Sequence, residues 1–191
     1  MHRITAFLHR IRWPGALPPL GFLVLAAGVN LLVVGYTFGN LDQLLYLALV
    51  PRYFDPSTIH PNDVYLSLFF SRSYTTLFLL LAPLIRWFGW EWPVFTAFAL
   101  VKLGIFWGIW ALAKRFTHDR LAAALAVLFL VMNGYMKELS VQYYSINFIC
   151  RFAAIPFLLF GLERLMARRF TVSAVLFGLA FQIHAMSTLY W

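Results

Sequence analysis

The stretch from Gly39 to Arg72 concentrates ionisable side chains between long apolar segments of the chain. It contains three of the seven carboxylates, Asp42, Asp55 and Asp63. A carboxylate held at a fixed position can take a proton from a hydroxyl group, which is the role of a general base. Beside a lipid bilayer, such a stretch would place this chemistry in water at the membrane surface.

Asp42 is the first candidate for acid–base chemistry, because it comes just after the first long apolar run. One interpretation is structural: Asp42 caps a short helix that starts at Gln43, where a carboxylate suits the helix N-terminus. The other interpretation is a general base that faces outward at the membrane surface. The two are compatible, since a cap also holds the carboxylate in place.

His60 and Asp63 form a second polar group, in a segment whose prolines and Asn62 predict a turn. The two side chains could form a pair or contribute to a metal site. No further ligands follow at a suitable spacing, so we predict no metal site, although a divalent metal stays possible. Asp63 is equally suited to cap a helix that begins near Val64.

Three cations border the polar segments: Arg72, Lys137 and Arg151. Arginine suits phosphate because its planar group can bind two oxygens at once. The alternative for each is a long side chain that extends along the apolar surface to reach the membrane interface.

Two ionisable residues, Lys102 and His184, lie inside apolar runs. A lysine within a membrane span is costly, so Lys102 is expected to face the interior of a helix bundle or a cavity. We place His184 in the outer half of the last span, where it either contributes to a site or bonds a backbone carbonyl. Asn30 is expected to join helices by hydrogen bonds.

The composition indicates a helical membrane protein. The chain has 191 residues, of which 62% are hydrophobic and only 12% are charged. The net charge of +8 comes from short basic clusters between apolar runs, a pattern typical of orientation in a bilayer. We therefore exclude nucleic acid as a partner. Cys150 is the only cysteine, so there is no internal disulfide.

The basic clusters also predict the topology, because loops on the cytoplasmic side carry the excess of Lys and Arg. If Tyr74 to Trp90 spanned the bilayer, the basic clusters at residues 114–120 and 164–169 would lie on the non-cytoplasmic side. If it lies on the outer surface instead, nine basic residues are inside, where the net charge is +7, and the outer side is neutral. The five predicted spans are then Leu20–Phe38, Trp92–Ala113, Leu121–Tyr135, Phe152–Met166 and Thr171–Trp191.

The predicted fold is thus all-α, with about five transmembrane helices and two membrane-surface helices in the first outer loop, residues 39–92. The surface helices are Leu44–Val50 and Tyr74–Trp90. Residues 1–191 form a single transmembrane module with a cytoplasmic N-terminus. The chain ends at Trp191 without a polar tail, so we expect it to be the N-terminal part of a larger protein.

This layout resembles the N-terminal module of the GT-C superfamily of membrane glycosyltransferases. The resemblance rests on an acidic residue at the start of the first outer loop, two surface helices in that loop, and a basic cytoplasmic turn. It implies transfer of a sugar from a polyprenyl-phosphate donor to a glycan, lipid or protein acceptor on the non-cytoplasmic face. The expected location is the bacterial inner membrane, with the first large loop in the periplasm.

The resemblance gives roles to individual residues. Asp42 would be the base or acceptor-binding group, followed by Gln43 where many members have Glu. Many members carry an Asp in the second outer loop, where this chain has only Glu138. The residues expected near the donor phosphate are Arg72, Lys137, Arg151 and His184. The expected accessory residues are Gln43, His60, Asp63, Lys102 and Glu138.

Two alternatives from other classes remain open. One is a transporter or flippase for a lipid-linked substrate, with Lys102 and His184 along its path. Neither an inverted repeat nor a pair of broken helices supports it. The other is a non-catalytic membrane scaffold, which would leave the large polar outer loop unexplained.

Overall fold

The fold is known from a computed structural model that describes residues 20–36, 76–132 and 150–184, with the backbone alone for residues 76–79, 132, 150 and 151. All regular structure in these ranges is α-helical, as predicted. The helices are α1 (Leu20–Val34), α2 (Thr76–Phe88), α3 (Glu91–Thr117), α4 (Arg120–Met132), α5 (Cys150–Met166) and α6 (Phe170–Ile183). The predicted surface helix Leu44–Val50 lies outside the described residues.

The helix boundaries follow the predicted apolar runs, with three corrections. α3 continues past Ala113 to Thr117, through residues that were predicted to form a loop. α1 ends at Val34 rather than at Phe38, because Gly35 adopts φ +81° and its N–H donates to the carbonyl of Leu31. A glycine in this left-handed conformation is a common helix stop. α6 ends at Ile183, and His184 is extended with φ −155° and ψ 92°, so it follows the helix instead of lying inside it.

α3 is the longest described helix and the centre of the bundle, packing against α1, α2, α4 and α5. Its 27 residues correspond to about 40 Å at the usual rise of 1.5 Å per residue. Within the described ranges, α3 alone is both long and apolar enough to cross a membrane. The helices α1, α4 and α6 are apolar but shorter, so five spans remain a prediction.

Ring contacts fix the direction of α1 against α3. Phe22 near the start of α1 lies 5.8 Å from Trp110, centroid to centroid, and Tyr36 beyond its end lies 4.9 Å from Phe98. The two helices are therefore antiparallel. On its other side, α1 buries Leu23 and Ala27 in the same cluster as Val127 of α4.

α3 and α5 run in the same direction and pack closely. Phe98 stacks on Phe152 at 5.7 Å, and further along Trp107 meets Phe160 edge-on at 6.0 Å. Gly108 allows this approach, since a Cβ there would lie 2.7 Å from the Cβ of Leu159.

α6 returns antiparallel to α5 after the turn at residues 167–169. Ser173 near its start donates a hydrogen bond of 2.8 Å to the carbonyl of Gly161. Ala180 near its end is buried with Ala154 and Leu158. The helices from α3 to α6 therefore alternate in direction along the chain.

This arrangement gives the bundle two ends. The Tyr36 end contains Tyr36, the starts of α3 and α5, and the end of α6, with Ile85 of α2 in the same core cluster as Phe98. The Arg115 end contains the turns at 118–119 and 167–169 and the C-terminal ends of α3 and α5, joined by Arg115 and Glu163. Most basic residues of the described ranges lie at the Arg115 end.

Candidate functional site

The structure describes only some of the predicted site residues. Those outside the described ranges are Asp42, Gln43, His60, Asp63, Arg72, Lys137 and Glu138. Arg151 lies in the first turn of α5, with its backbone alone described. His184 and Lys102 are described in full, and they lie in different parts of the bundle.

The Tyr36 end is where the chain connects to the predicted catalytic residues. Tyr36 packs against Phe95 at 5.3 Å and Phe98 at 4.9 Å, so α1 ends beside the start of α3. Asp42 follows six positions later in the sequence. Phe152, stacked on Phe98, follows Arg151 directly, which puts the start of α5 at this end as well.

His184 reaches the same end from α6. Its backbone N–H donates a 2.8 Å bond to the carbonyl of Ala180, which closes the last turn of the helix. Ile183 packs against the cluster that contains Val94 and Phe98. The half-buried His184 therefore lies where α1, α3 and α5 also begin or end.

Lys102 forms a buried polar cluster near the middle of α3. The side chain is 1% exposed, and its Nζ donates a hydrogen bond to Oδ1 of Asn30 in α1. The amide of Asn30 in turn donates to the carbonyl of Val131 in α4 at 3.4 Å. Nζ also lies 5.0 Å from the ring centre of Phe98, a cation–π arrangement. Asn30 thus joins three helices, as the sequence predicted.

The contacts of Lys102 favour a structural role. Across the described parts of the chain, no carboxylate forms an ion pair with it, so Asn30 and the ring of Phe98 are what hold the amine. Lys102 lines neither of the cavities described below. The expectation that it faces the bundle interior is confirmed, and a role along a transport path stays a prediction.

A basic cavity of about 410 Å³ lies at the Arg115 end, between the C-terminal parts of α3 and α5. The lysine and the two arginines in its lining come from the last turns of these helices: Lys114, Arg115 and Arg164. The rest of its lining comprises Trp107, Trp110, Ala111, His118, Phe160 and Glu163.

Glu163 holds two of these cations. Its Oε1 accepts a hydrogen bond of 2.9 Å from Nη2 of Arg115, and its Oε2 lies 3.0 Å from Nε of Arg164. The second contact has the distance of an ion pair, but its direction does not make a hydrogen bond, so Oε2 is buried without a donor. The glutamate side chain is only 11% exposed, whereas those of Arg115 and Arg164 are 39% and 37% exposed.

This cavity was not predicted from the sequence, in which the basic residues served only as markers of the cytoplasmic side. The sequence does contain a signal for this cavity. Lys114-Arg115 directly follows one predicted span, and Glu163-Arg164 lies near the end of another span that runs in the same direction. Two spans that both run inward end on the cytoplasmic side, which brings their C-terminal ends to the same end of the bundle.

An apolar groove of about 600 Å³ runs along α1 toward the Tyr36 end. Its lining includes Gly28, Leu32, Tyr36 and Phe95. Gly28 has no atom within 4 Å of where its Cβ would be, which leaves the groove open at that point.

The metal question is not decided by the residues that the structure covers. Among them, no three His, Cys, Asp or Glu side chains come close enough to hold a metal ion. His60 and Asp63, the residues for which a metal was considered, lie outside the covered ranges.

Comparison of the chain with models of protein families, with curated proteins and with solved structures finds no match.

Proposed function

We propose that the chain is a polytopic integral membrane protein that transfers a sugar from a polyprenyl-phosphate donor on the non-cytoplasmic face. The observation that carries the proposal is the meeting of four chain segments at the Tyr36 end. There α1 ends a few positions before Asp42, α5 begins at Cys150 just before Arg151, α6 ends at Ile183 just before His184, and α3 begins. Most of the basic residues that the structure describes lie at the opposite end.

Exposed apolar side chains support the membrane part of the proposal. The outward faces carry Leu32, Leu80 and Trp87, which are 86%, 71% and 82% exposed. α1 contains no charged residue at all, so it has no polar face for water. Soluble proteins rarely expose apolar surface of this extent, whereas a bilayer stabilises it.

The distribution of charge supports the orientation. Lys114, Arg115, Arg120, Arg164, Arg168 and Arg169 all lie at or beside the turns of the Arg115 end. Cytoplasmic segments carry such an excess. The Tyr36 end, with the polar stretch that follows it in the sequence, then faces outward, in a bacterial inner membrane toward the periplasm.

In the proposed reaction, the carboxylate of Asp42 takes the proton of an acceptor hydroxyl. The hydroxyl oxygen bonds to the anomeric carbon of the sugar, and the bond from that carbon to the phosphate oxygen breaks. Polyprenyl phosphate leaves with the negative charge that the cations Arg72, Lys137 and Arg151, together with His184, would stabilise. Gln43, His60, Asp63 and Glu138 would act as accessory groups.

The apolar groove along α1 supports a lipid-linked donor. A polyprenyl chain is a long, branched hydrocarbon, and the groove is lined mainly by aliphatic and aromatic side chains such as Leu32 and Phe95. Since the groove reaches Tyr36, a chain lying in it would bring its phosphate to the end of the bundle where Asp42 follows in the sequence.

Replacement of Asp42 tests the catalytic proposal. With purified protein in nanodiscs and a panel of radiolabelled polyprenyl-phosphate hexoses and pentoses, Asp42→Asn should lower the transfer rate by about 10²-fold or more. The matched control is Asp55→Asn, which removes the same charge from the same stretch and should retain the rate. Full transfer by Asp42→Asn, with the wild-type melting temperature, would overturn the catalytic role.

Cysteine labelling tests the membrane part separately, in a chain with Cys150→Ser. Glu91→Cys at the Tyr36 end should react with a membrane-impermeant maleimide from outside, and Thr171→Cys at the Arg115 end should not. Both positions are exposed in the structure. Labelling of Thr171→Cys from outside would mean that the orientation is reversed.

A further inference from the structure

We infer that the basic cavity at the Arg115 end binds the phosphodiester headgroup of an anionic phospholipid of the cytoplasmic leaflet. The inference rests on the membrane orientation proposed above but not on sugar transfer. The site is distinct from the one proposed for Asp42, because it lies at the opposite end of α3.

The charge of the cavity matches one phosphodiester. Lys114, Arg115 and Arg164 against Glu163 leave a net charge of +2, with His118 taken as neutral. The C-terminal ends of α3 and α5 both point here, and each helix dipole contributes about half a negative charge. The two dipoles together offset about one of the two positive charges of the cavity. About one positive charge remains, which equals the single negative charge of a phosphodiester.

The two arginines are held in place before any ligand arrives. Glu163 accepts a hydrogen bond from Nη2 of Arg115 and forms an ion pair with Nε of Arg164, and no described residue accepts from the other N–H groups of either arginine. Because Oε2 of Glu163 is buried, an entering anion meets the cations rather than that carboxylate oxygen. Fixed side chains lose little freedom on binding, which favours affinity.

Lys114 supplies the remaining donor. Among the described residues, no hydrogen bond or ion pair engages its Nζ, in contrast to the two arginines beside it. A phosphate oxygen in the cavity would give this ammonium group a partner.

The walls of the cavity fit the region just below a lipid headgroup. Trp107, 40% exposed, meets Phe160 edge-on, and Trp110 completes the aromatic side. Tryptophan is enriched at the boundary between headgroups and acyl chains. Basic pockets between transmembrane helices on the cytoplasmic side are suited to anionic headgroups. A free phosphate ion would make no use of this aromatic side.

The test uses the full chain purified in mixed micelles of a non-ionic detergent with dioleoyl phosphatidylglycerol and dioleoyl phosphatidylcholine. Mass spectrometry measures the ratio of the two lipids that remain bound. The wild-type protein should enrich phosphatidylglycerol over the micelle composition. Lys114→Gln should lower that enrichment about fivefold, because the headgroup phosphate loses one direct cation contact in the cavity, and Lys114→Arg should retain it. Arg168→Asn removes the same charge from the same end but outside the cavity, so it should change the ratio clearly less than Lys114→Gln does, because its charge is exposed and screened by salt.

Glu163→Gln separates a built site from general charge attraction. It makes the cavity more positive but releases both arginines, so the enrichment should fall or stay level. A rise would overturn the inference, as would equal losses in Lys114→Gln and Arg168→Asn. Competition by excess glycerol 3-phosphate identifies the source of the phosphate: full displacement of phosphatidylglycerol would assign the cavity to a soluble phosphate instead. None of these measurements involves a sugar donor, so they can fail while the Asp42 test succeeds.

Discussion

Gly108→Ala is a sharp test of the contact between α3 and α5. A Cβ at position 108 would lie 2.7 Å from Cβ of Leu159 and 3.0 Å from its Cδ1, where ordinary contacts begin at 3.4 Å. A rotamer change cannot relieve the first contact, since the Cβ of Leu159 is fixed to its backbone. The helices must therefore separate by about 0.3 Å to reach the shortest Cβ contact that proteins show, and by about 0.7 Å to reach ordinary contact.

The magnitude follows from two opposing effects. Overpacking of a close contact costs about 1–3 kcal/mol. Alanine in a helix interior is favoured over glycine by about 1 kcal/mol. Gly178→Ala in α6 isolates the second effect, because nothing lies within 4 Å of its Cβ position. The two variants should thus differ in free energy of unfolding by about 1–3 kcal/mol, with Gly108→Ala the less stable.

Unfolding of both variants in the same detergent measures this difference through their transition midpoints. Gly104→Ala should fall between them, since its Cβ would lie 3.1 Å from Pro156. The proposed close packing is refuted if Gly108→Ala unfolds at the same midpoint as Gly178→Ala or at a higher one.

Three hydrogen bonds can be probed by substitution, all with equilibrium unfolding as the measurement. Lys102→Met and Asn30→Leu should each cost about 1–3 kcal/mol, because each leaves a buried polar partner unsatisfied. The double variant should lose less free energy of unfolding than the sum of the two single losses, with a coupling energy of about 0.5–3 kcal/mol. Additive losses would contradict a hydrogen bond between Lys102 and Asn30. Asp119 is the N-cap of α4, where its Oδ1 accepts a hydrogen bond of 2.9 Å from the N–H of Leu121. Asp119→Ala should lower the free energy of unfolding by about 1 kcal/mol, whereas Asp119→Asn should keep most of the stability because its amide oxygen can still cap the helix. Ser173→Ala should cost about 0.5–1.5 kcal/mol by removing the bond to the carbonyl of α5, and a neutral effect would show that the contact adds nothing.

The sequence predicted the helices well where an apolar run met a clear stop. The run Trp92–Ala113 appears as the core of α3, but the helix continues to Thr117, so Lys114 and Arg115 lie in its last turn and only residues 118–119 separate it from α4. It predicted too long a first helix because Gly35 was read as part of the apolar run. Whether a glycine adopts positive φ depends on the local backbone, and the hydropathy of its neighbours does not report it.

Side-chain partners were harder to predict than helices. Lys102 and Asn30 were each recognised as polar groups in apolar runs, but 72 positions separate them, and only the antiparallel register of α1 and α3 pairs them. Arg115 and Glu163 are 48 positions apart and meet through the opposite relation, the parallel packing of α3 and α5. Register depends on close contacts such as the one at Gly108, which the pattern of apolar residues does not encode.

The pairing of α3 with α5 connects the two proposed sites. At the Tyr36 end it stacks Phe98 on Phe152, next to Arg151, and at the Arg115 end it joins Arg115 to Glu163. Gly108 lies between these two contacts, and a change in helix spacing there alters the geometry at both ends. Lipid held at the Arg115 end would therefore favour the same helix spacing that places the start of α5 beside α1 and α6. Since any such coupling is reciprocal, occupancy of one end would change affinity at the other.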